Sequence, residues 1–119
     1  MKRPKFTQAL ADTLLAGKHV NLVSPHGRGR RQTLLDLEIL LGDVTVRKID
    51  LKREQTKWQR WLEETLNLDG QVLVILHNME HMQSHQQQTL DDLGKFTLLC
   101  VSERPLAMSN MLHIEIPES

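Results

Sequence analysis

The chain has 119 residues and a mass of 13.8 kDa, a size that fits one domain with one hydrophobic core and excludes a second independently stable unit. Its 39% hydrophobic and 25% charged residues are typical of globular proteins and exclude a wholly disordered chain. No stretch approaches the roughly 20 apolar residues of a membrane span, the N-terminus has no signal-peptide pattern, and one cysteine, Cys100, excludes an internal disulfide. We therefore expect a cytoplasmic protein that does not enter a membrane.

The formal net charge of zero is unevenly divided along the chain. Residues 1–60 carry 13 Lys and Arg against 6 Asp and Glu, whereas residues 61–119 carry 2 against 9. Such asymmetry is typical of an anion-binding or nucleic-acid-binding face, or of two complementary faces that meet in an assembly. Compensation of the two charges within one domain is the alternative.

The first half of the chain alternates between helix and strand patterns. Apolar residues at helical spacing predict a helix over residues 5–16, ending at Gly17. An apolar run at 19–23 predicts a short buried strand. Residues 33–41 are apolar around most of the helical circumference, which predicts a helix packed in a layered core, and the β-branched segment 44–51 predicts a strand near a sheet edge.

The second half continues the alternation. Trp58, Trp61, Leu62 and Leu66 repeat at helical spacing, which predicts a helix with both tryptophans in the core. The further predicted elements are a strand over 71–76, a short exposed helix over 83–93, a strand over 96–101 with Cys100 as an inert buried thiol, and a strand over 113–116.

This alternation predicts an α/β fold: a three-layer αβα sandwich with a five-stranded parallel sheet, formed by one domain over residues 1–119. Segment 72–76 is the most continuously hydrophobic, so we expect it in the middle of the sheet, flanked by 20–23 and 97–101. Ligands of such sheets bind at the carboxyl ends of the strands.

One turn lies in the context that a phosphate-binding P-loop requires, because a predicted strand leads through it directly into a helix. In the pattern G-x-x-x-x-G-K-[ST], Ser24 replaces the first glycine, Gly29 keeps the second, Arg30 replaces the lysine and Arg31 replaces the hydroxyl residue. The candidate cofactor-binding residues are Ser24, Gly27, Arg28, Gly29, Arg30 and Arg31. A basic strand–turn–helix connection without special chemistry remains the alternative.

Four segments in chain order resemble the P-loop ATPase core of the AAA and STAND (NB-ARC-like) families. They are 20–29 (first strand and P-loop), 73–82 (Walker B), 98–106 (sensor strand, with Ser102 as the sensor-like residue) and 112–117 (fifth strand). The resemblance implies a P-loop NTPase-like fold with a nucleotide, ATP or ADP, or a bound anion at the turn.

The departures from this resemblance concern the catalytic groups. In these families a Walker B aspartate holds Mg²⁺ and the next acidic residue polarises the attacking water; here His77 and Asn78 stand at those places, and Arg31 offers no hydroxyl. The segment that resembles the fifth strand lies at the end of the 119 residues, so we also expect no helical lid of the kind that follows this strand in the families. We therefore expect no catalytic residues, no bound metal and a protein-binding or regulatory module, with a related ATPase or a second copy as its partner.

Three other hypotheses stay open. The chain could be an active ATP-binding protein that uses Arg30 in place of lysine and is completed by an oligomeric neighbour. It could bind nucleic acid through its basic N-terminal half, where Arg28, Arg30 and Arg31 are candidate phosphate contacts. The run His77-Asn78-Met79-Glu80-His81 also fits H-x-x-E-H, a zinc motif that requires a helix, whereas His77 follows a predicted strand.

Overall fold

The predicted alternation of helices and strands is present in the computed structural model, which describes residues 3–25 and 29–117. The helices are α1 (Pro4–Leu15), α2 (Arg30–Leu41), α3 (Trp58–Leu66), α4 (Ser84–Gln87) and α5 (Leu90–Leu93), and short 3₁₀ turns occupy Gln55–Lys57 and Met79–His81. The strands are β1 (Val20–Val23), β2 (Thr45–Asp50), β3 (Val72–His77), β4 (Thr97–Ser102) and β5 (Leu112–Glu115). Within the described ranges, no helix is both long and apolar enough to span a bilayer.

The five strands form one parallel sheet in the order β2-β3-β4-β1-β5, which confirms the predicted α/β class and is consistent with a P-loop-like fold. The expectation that segment 72–76 lies in the middle is wrong: β3 pairs with β2 and β4, and β4 is the central strand. Continuous hydrophobicity reports that both faces of a strand are covered. β1, β3 and β4 are all buried over nearly their whole length. The hydrophobicity of these strands therefore does not indicate which of them lies at the centre of the sheet.

Two hydrophobic layers enclose the sheet. On one face α1 and α2 pack through Leu10, Leu14, Leu34 and Leu37. On the other face the core contains Trp58 and Trp61 with residues of α5. The two tryptophan rings stack at 5.4 Å between centroids, so their prediction as core anchors is confirmed.

Some local predictions were less accurate. Helix α2 begins at Arg30, three residues before its predicted start. Segment 83–93 forms two short helices and is not simply exposed, because Gln86 is fully buried. The amide of Gln86 donates to Gln55 Oε1 at 2.6 Å. Cys100 is buried as predicted, and burial raises the pKa of its thiol to about 12.

The connection from β4 to β5 crosses the sheet without a helix in residues 103–111. Leu106, Met108 and Met111 of this segment pack against the core on the α3 side of the sheet. The segment thus covers a part of the sheet face that a crossover helix covers in other parallel sheets.

Candidate functional site

The carboxyl ends of four strands bring several of the predicted residues to one edge of the sheet. The β2–β3 register sets Asp50 opposite His77, and the β1–β4 register sets Val23 opposite Ser102. Ser24 follows β1 directly and Asn78 follows β3. Gly27 and Arg28, also predicted for this site, lie outside the described residues.

Gly29 forms the start of α2 at this edge. Its φ of +71° is in the left-handed region, where an L side chain costs roughly 1–2 kcal/mol. Its carbonyl accepts a hydrogen bond from the Thr33 amide at 3.2 Å. Glycine at this position therefore allows the chain to enter the helix without this backbone strain.

Arg30, the residue in place of the P-loop lysine, bridges two strand ends. Its guanidinium donates to the Ser24 carbonyl at 3.0 Å and makes a longer contact, 3.5 Å, to Oδ1 of Asn78. The cation is thus bonded to oxygen atoms of its own chain. The structure brings together Ser24, Arg30 and Asn78, three of the residues predicted from the sequence.

Asn78 connects Arg30 to a carboxylate that sequence reasoning did not single out. Its amide Nδ2 donates to Oδ1 of Asp50 at 2.7 Å, and its φ of +57° is one that asparagine tolerates better than most residues. Burial opposes ionisation of Asp50, but the bond from Asn78 and the amides of Lys52 and Arg53 outweigh it and lower the pKa of this carboxyl. Asp50 therefore serves as a charged acceptor inside the network.

His77 stands at the end of β3 beside this network. It lines a groove of about 380 Å³ together with residues of α2 and Lys48. Burial lowers the pKa of His77; Lys48 and Arg30 lower it further, and Asp50 and Glu38 partly offset them. The folded protein therefore favours the neutral imidazole.

Replacing His77 with glutamine is expected to reduce the loss of stability on acidification. Because the folded-state pKa is below the ordinary value of 6.5, the unfolded chain binds the proton more tightly, and stability falls as the pH falls below 6.5 towards the folded-state pKa. Urea unfolding between about pH 7.5 and about pH 5 measures the slope. An unchanged slope in His77→Gln would contradict the assignment.

Ser102, the predicted sensor-like residue, is fully buried and its hydroxyl is used within the fold. Its Oγ donates to the Arg104 carbonyl at 2.6 Å and accepts from Nδ2 of Asn21 at 2.9 Å. Among the described residues no bond joins Ser102 to Arg30. Ser102 lies at the carboxyl edge of the sheet, and its bonds are those of a residue that fixes the chain after β4.

Arg31 differs from Arg30, because its side chain is exposed and lines the His77 groove. It makes no ion pair or hydrogen bond with any described residue. The hydroxyl of Thr33, in the same helix and buried, likewise has no partner in the described part of the chain. Among the described residues, the first turn of α2 thus carries one cation that bridges two strand ends, Arg30, and one cation without a partner, Arg31.

The H-x-x-E-H run does not adopt the single helix that a zinc motif of this kind requires. His77 ends a strand, whereas Glu80 and His81 lie in a 3₁₀ turn. The Glu80 carboxylate accepts the backbone amides of Glu103 and Arg104. Across residues 3–25 and 29–117, no three His, Cys, Asp or Glu side chains are grouped as metal ligands.

In chemical terms, this edge offers helix amides and arginines suited to an anion. Its groups for metal chemistry are limited, since Asp50 already accepts three N–H donors and His77 and Asn78 are uncharged side chains at neutral pH. The amino-acid sequence matches no protein-family model and no curated protein.

Proposed function

We propose that the chain is a P-loop ATPase-like domain that does not hydrolyse nucleotide and works as a protein-binding or regulatory module. The observation that carries the proposal is the bridge from Arg30 to the Ser24 carbonyl and the Asn78 amide oxygen. In a working site of this kind the cation and the residue after the strand act on phosphate and water. Here they bind each other.

Metal chemistry gives the second line of support. Phosphoryl transfer depends on Mg²⁺ to neutralise the developing charge, and Mg²⁺ prefers oxygen ligands, carboxylates above all. Arg31, His77 and Asn78 occupy the three places where the resembling families use a hydroxyl and two carboxylates. Recruiting Asp50 would require breaking its bonds from Asn78 and two backbone amides.

A protein-binding role is supported by the surface of α2. Leu35 is 49% exposed, Ile39 77% and Leu40 41%, and all three lie within two turns of one helix. Single exposed apolar residues are ordinary, whereas a contiguous group is typical of an interaction surface. The module therefore has a surface on which a partner protein can pack.

The purified protein is expected to show no Mg²⁺-dependent ATP hydrolysis above background. Phosphate release measures hydrolysis, and calorimetric titration of ATP with and without Mg²⁺ measures binding. If ATP binds weakly through its phosphates, Arg30→Ala should abolish the binding, whereas Arg60→Ala, at a strongly exposed arginine of α3, should leave it unchanged. The combined variant Arg30→Lys, Arg31→Thr, His77→Asp and Asn78→Glu restores the family's groups and is expected to gain Mg²⁺-dependent ATP binding.

Two outcomes would overturn this proposal. Hydrolysis by the unmodified protein that Gly29→Asp abolishes would identify an active ATPase. Binding of duplex DNA with a steep salt dependence, measured in the same session at two salt concentrations, would favour the nucleic-acid function of the basic half.

A further inference from the structure

The exposed residues of α2 and of the turn after it form a pattern that is symmetric about the level of residue 37. Leu35 and Ile39 stand two residues on either side of that level, and Arg31 and Asp43 stand six residues on either side. Arg31 lies in the first turn of the helix, and Asp43 lies in the turn that follows its last residue, Leu41. We call Arg31, Leu35, Ile39 and Asp43 the α2 stripe.

The two apolar members of the α2 stripe are unusually exposed. Ile39 is 77% and Leu35 49% exposed, and an i, i+4 pair lies on one side of a helix. Ile39 also stands at a groove of about 320 Å³ between α1 and α2, lined in part by Pro4, Gln8 and Leu40. A side chain from a partner helix could enter this groove while covering Ile39.

The charges at the two ends of the stripe have no partners in the described part of the chain. Arg31 and Asp43 are both exposed, and neither makes a hydrogen bond or ion pair with any described residue. Moreover, α2 has no acidic residue in its first turn and no basic residue in its last turn. Its N-terminus bears Arg30 and Arg31 instead, at the end of the helix dipole where cations are unfavourable.

We propose that the α2 stripe is the contact surface of a symmetric homodimer, in which α2 packs antiparallel against α2 of a second copy. This inference rests on the proposed protein-binding function and names its partner. About a two-fold axis at residue 37, Leu35 of each copy meets Ile39 of the other. Arg31 then lies beside Asp43 and the carbonyl end of the opposite α2, where a cation is favourable.

Charge complementarity favours a second copy over a partner helix of a single sign of charge. A partner helix of a single sign of charge would satisfy one end of the stripe and meet a like charge at the other. A second copy of this chain, turned by the two-fold, presents an acidic residue to Arg31 and a basic residue to Asp43 at once. An isologous interface has this self-complementarity by construction.

The oligomeric state of the full chain tests the inference. Sedimentation equilibrium over about 1 µM to about 1 mM covers the affinity range of a small interface. We expect a reversible species at twice the 13.8 kDa monomer mass. Ile39→Lys, which removes two apolar contacts per dimer, should raise the dissociation constant at least about tenfold. Leu112→Lys, at a leucine 47% exposed on the edge strand β5, should leave it unchanged.

A charge exchange makes the test independent of any folding defect in Ile39→Lys. Arg31→Glu should weaken the dimer by placing two acidic residues together, and Arg31→Glu with Asp43→Arg should restore it. The inference would be overturned if the wild-type chain stayed monomeric over the whole concentration range, even if it bound some other protein. It would also be overturned by a dimer whose dissociation constant does not change in Ile39→Lys or in the charge-exchange variants. Neither result concerns ATP, so the proposed loss of hydrolysis would stand or fall separately.

Discussion

Replacing Asn21 with leucine is expected to lower the free energy of unfolding by about 2–4 kcal/mol, because it leaves buried polar groups without partners. Asn21 is fully buried in the middle of β1. Its Nδ2 donates to the Cys100 carbonyl at 3.0 Å and to the Ser102 hydroxyl at 2.9 Å. Its Oδ1 accepts from the Leu106 amide at 2.9 Å and contacts Nδ1 of His113 at 2.9 Å.

These four contacts explain why one side chain has such a large expected effect. They join β1 to both of its neighbours, β4 and β5, and also to the connection between them. That connection has no helix in residues 103–111. The Leu106 amide therefore donates to the Asn21 side-chain oxygen and not to a backbone carbonyl, which is the usual acceptor in a helix or a sheet. Without this oxygen, the Leu106 amide would lose its acceptor, and the segment would be held by its apolar side chains and by the bonds of Glu103 and Arg104 to Glu80 and Ser102.

Urea unfolding monitored by circular dichroism measures the loss, and hydrogen exchange at the Leu106 amide locates it. Asn110→Leu is the matched control, because Asn110 is exposed in the same connection and an exposed substitution should change stability by less than about 0.5 kcal/mol. If Asn21→Leu were as stable as the control and left exchange at Leu106 slow, Asn21 would not hold the connection.

The fold was largely predictable from local patterns. Helical spacing located α1 and α3, and β-branched or continuously apolar runs located all five strands within one or two residues. These patterns report which faces of an element are covered. They do not report which strands are neighbours, which is why β3 rather than β4 was expected in the middle of the sheet.

The site was predictable only in part, for a related reason. The resemblance to the P-loop pattern made Ser24, Gly29 and Arg30 candidates, because that pattern depends on residues close together in the chain. The bond from Asn78 to Asp50 joins residues 28 positions apart, a pairing that the β2–β3 register creates. The sequence did indicate that Asp50 could belong to the site, since it lies at the carboxyl end of the predicted strand 44–51, where ligands of parallel sheets bind. It did not indicate that Asn78 is the partner of Asp50.

Asn21 is a polar residue within a predicted buried strand. It is an amide within the apolar run at 19–23, and a buried polar side chain of this kind requires hydrogen-bond partners. The sequence therefore indicated that something polar must reach the middle of β1. Its partners lie 79 or more positions away, so their identity depended on the strand order.

Leu99→Ala is expected to lower the free energy of unfolding by about 3 kcal/mol, within the range of 2–5 kcal/mol measured for buried leucines. Leu99 is fully buried in the central strand β4. It stands in register with Ile75 of β3 on one side and with Val20 of β1 on the other. The cavity would therefore open between the sheet and the layer of α1 and α2, beside side chains of three neighbouring strands.

The same substitution at Leu112 provides the control, because Val20 pairs with Leu112 of β5 as well as with Leu99. Leu112 is 47% exposed, so about half of its apolar surface is already in water and Leu112→Ala should cost about 1 kcal/mol or less. Chemical denaturation of both variants measures the difference. Equal losses would contradict the burial of Leu99 in the central strand and the exposure of Leu112 at the edge of the sheet.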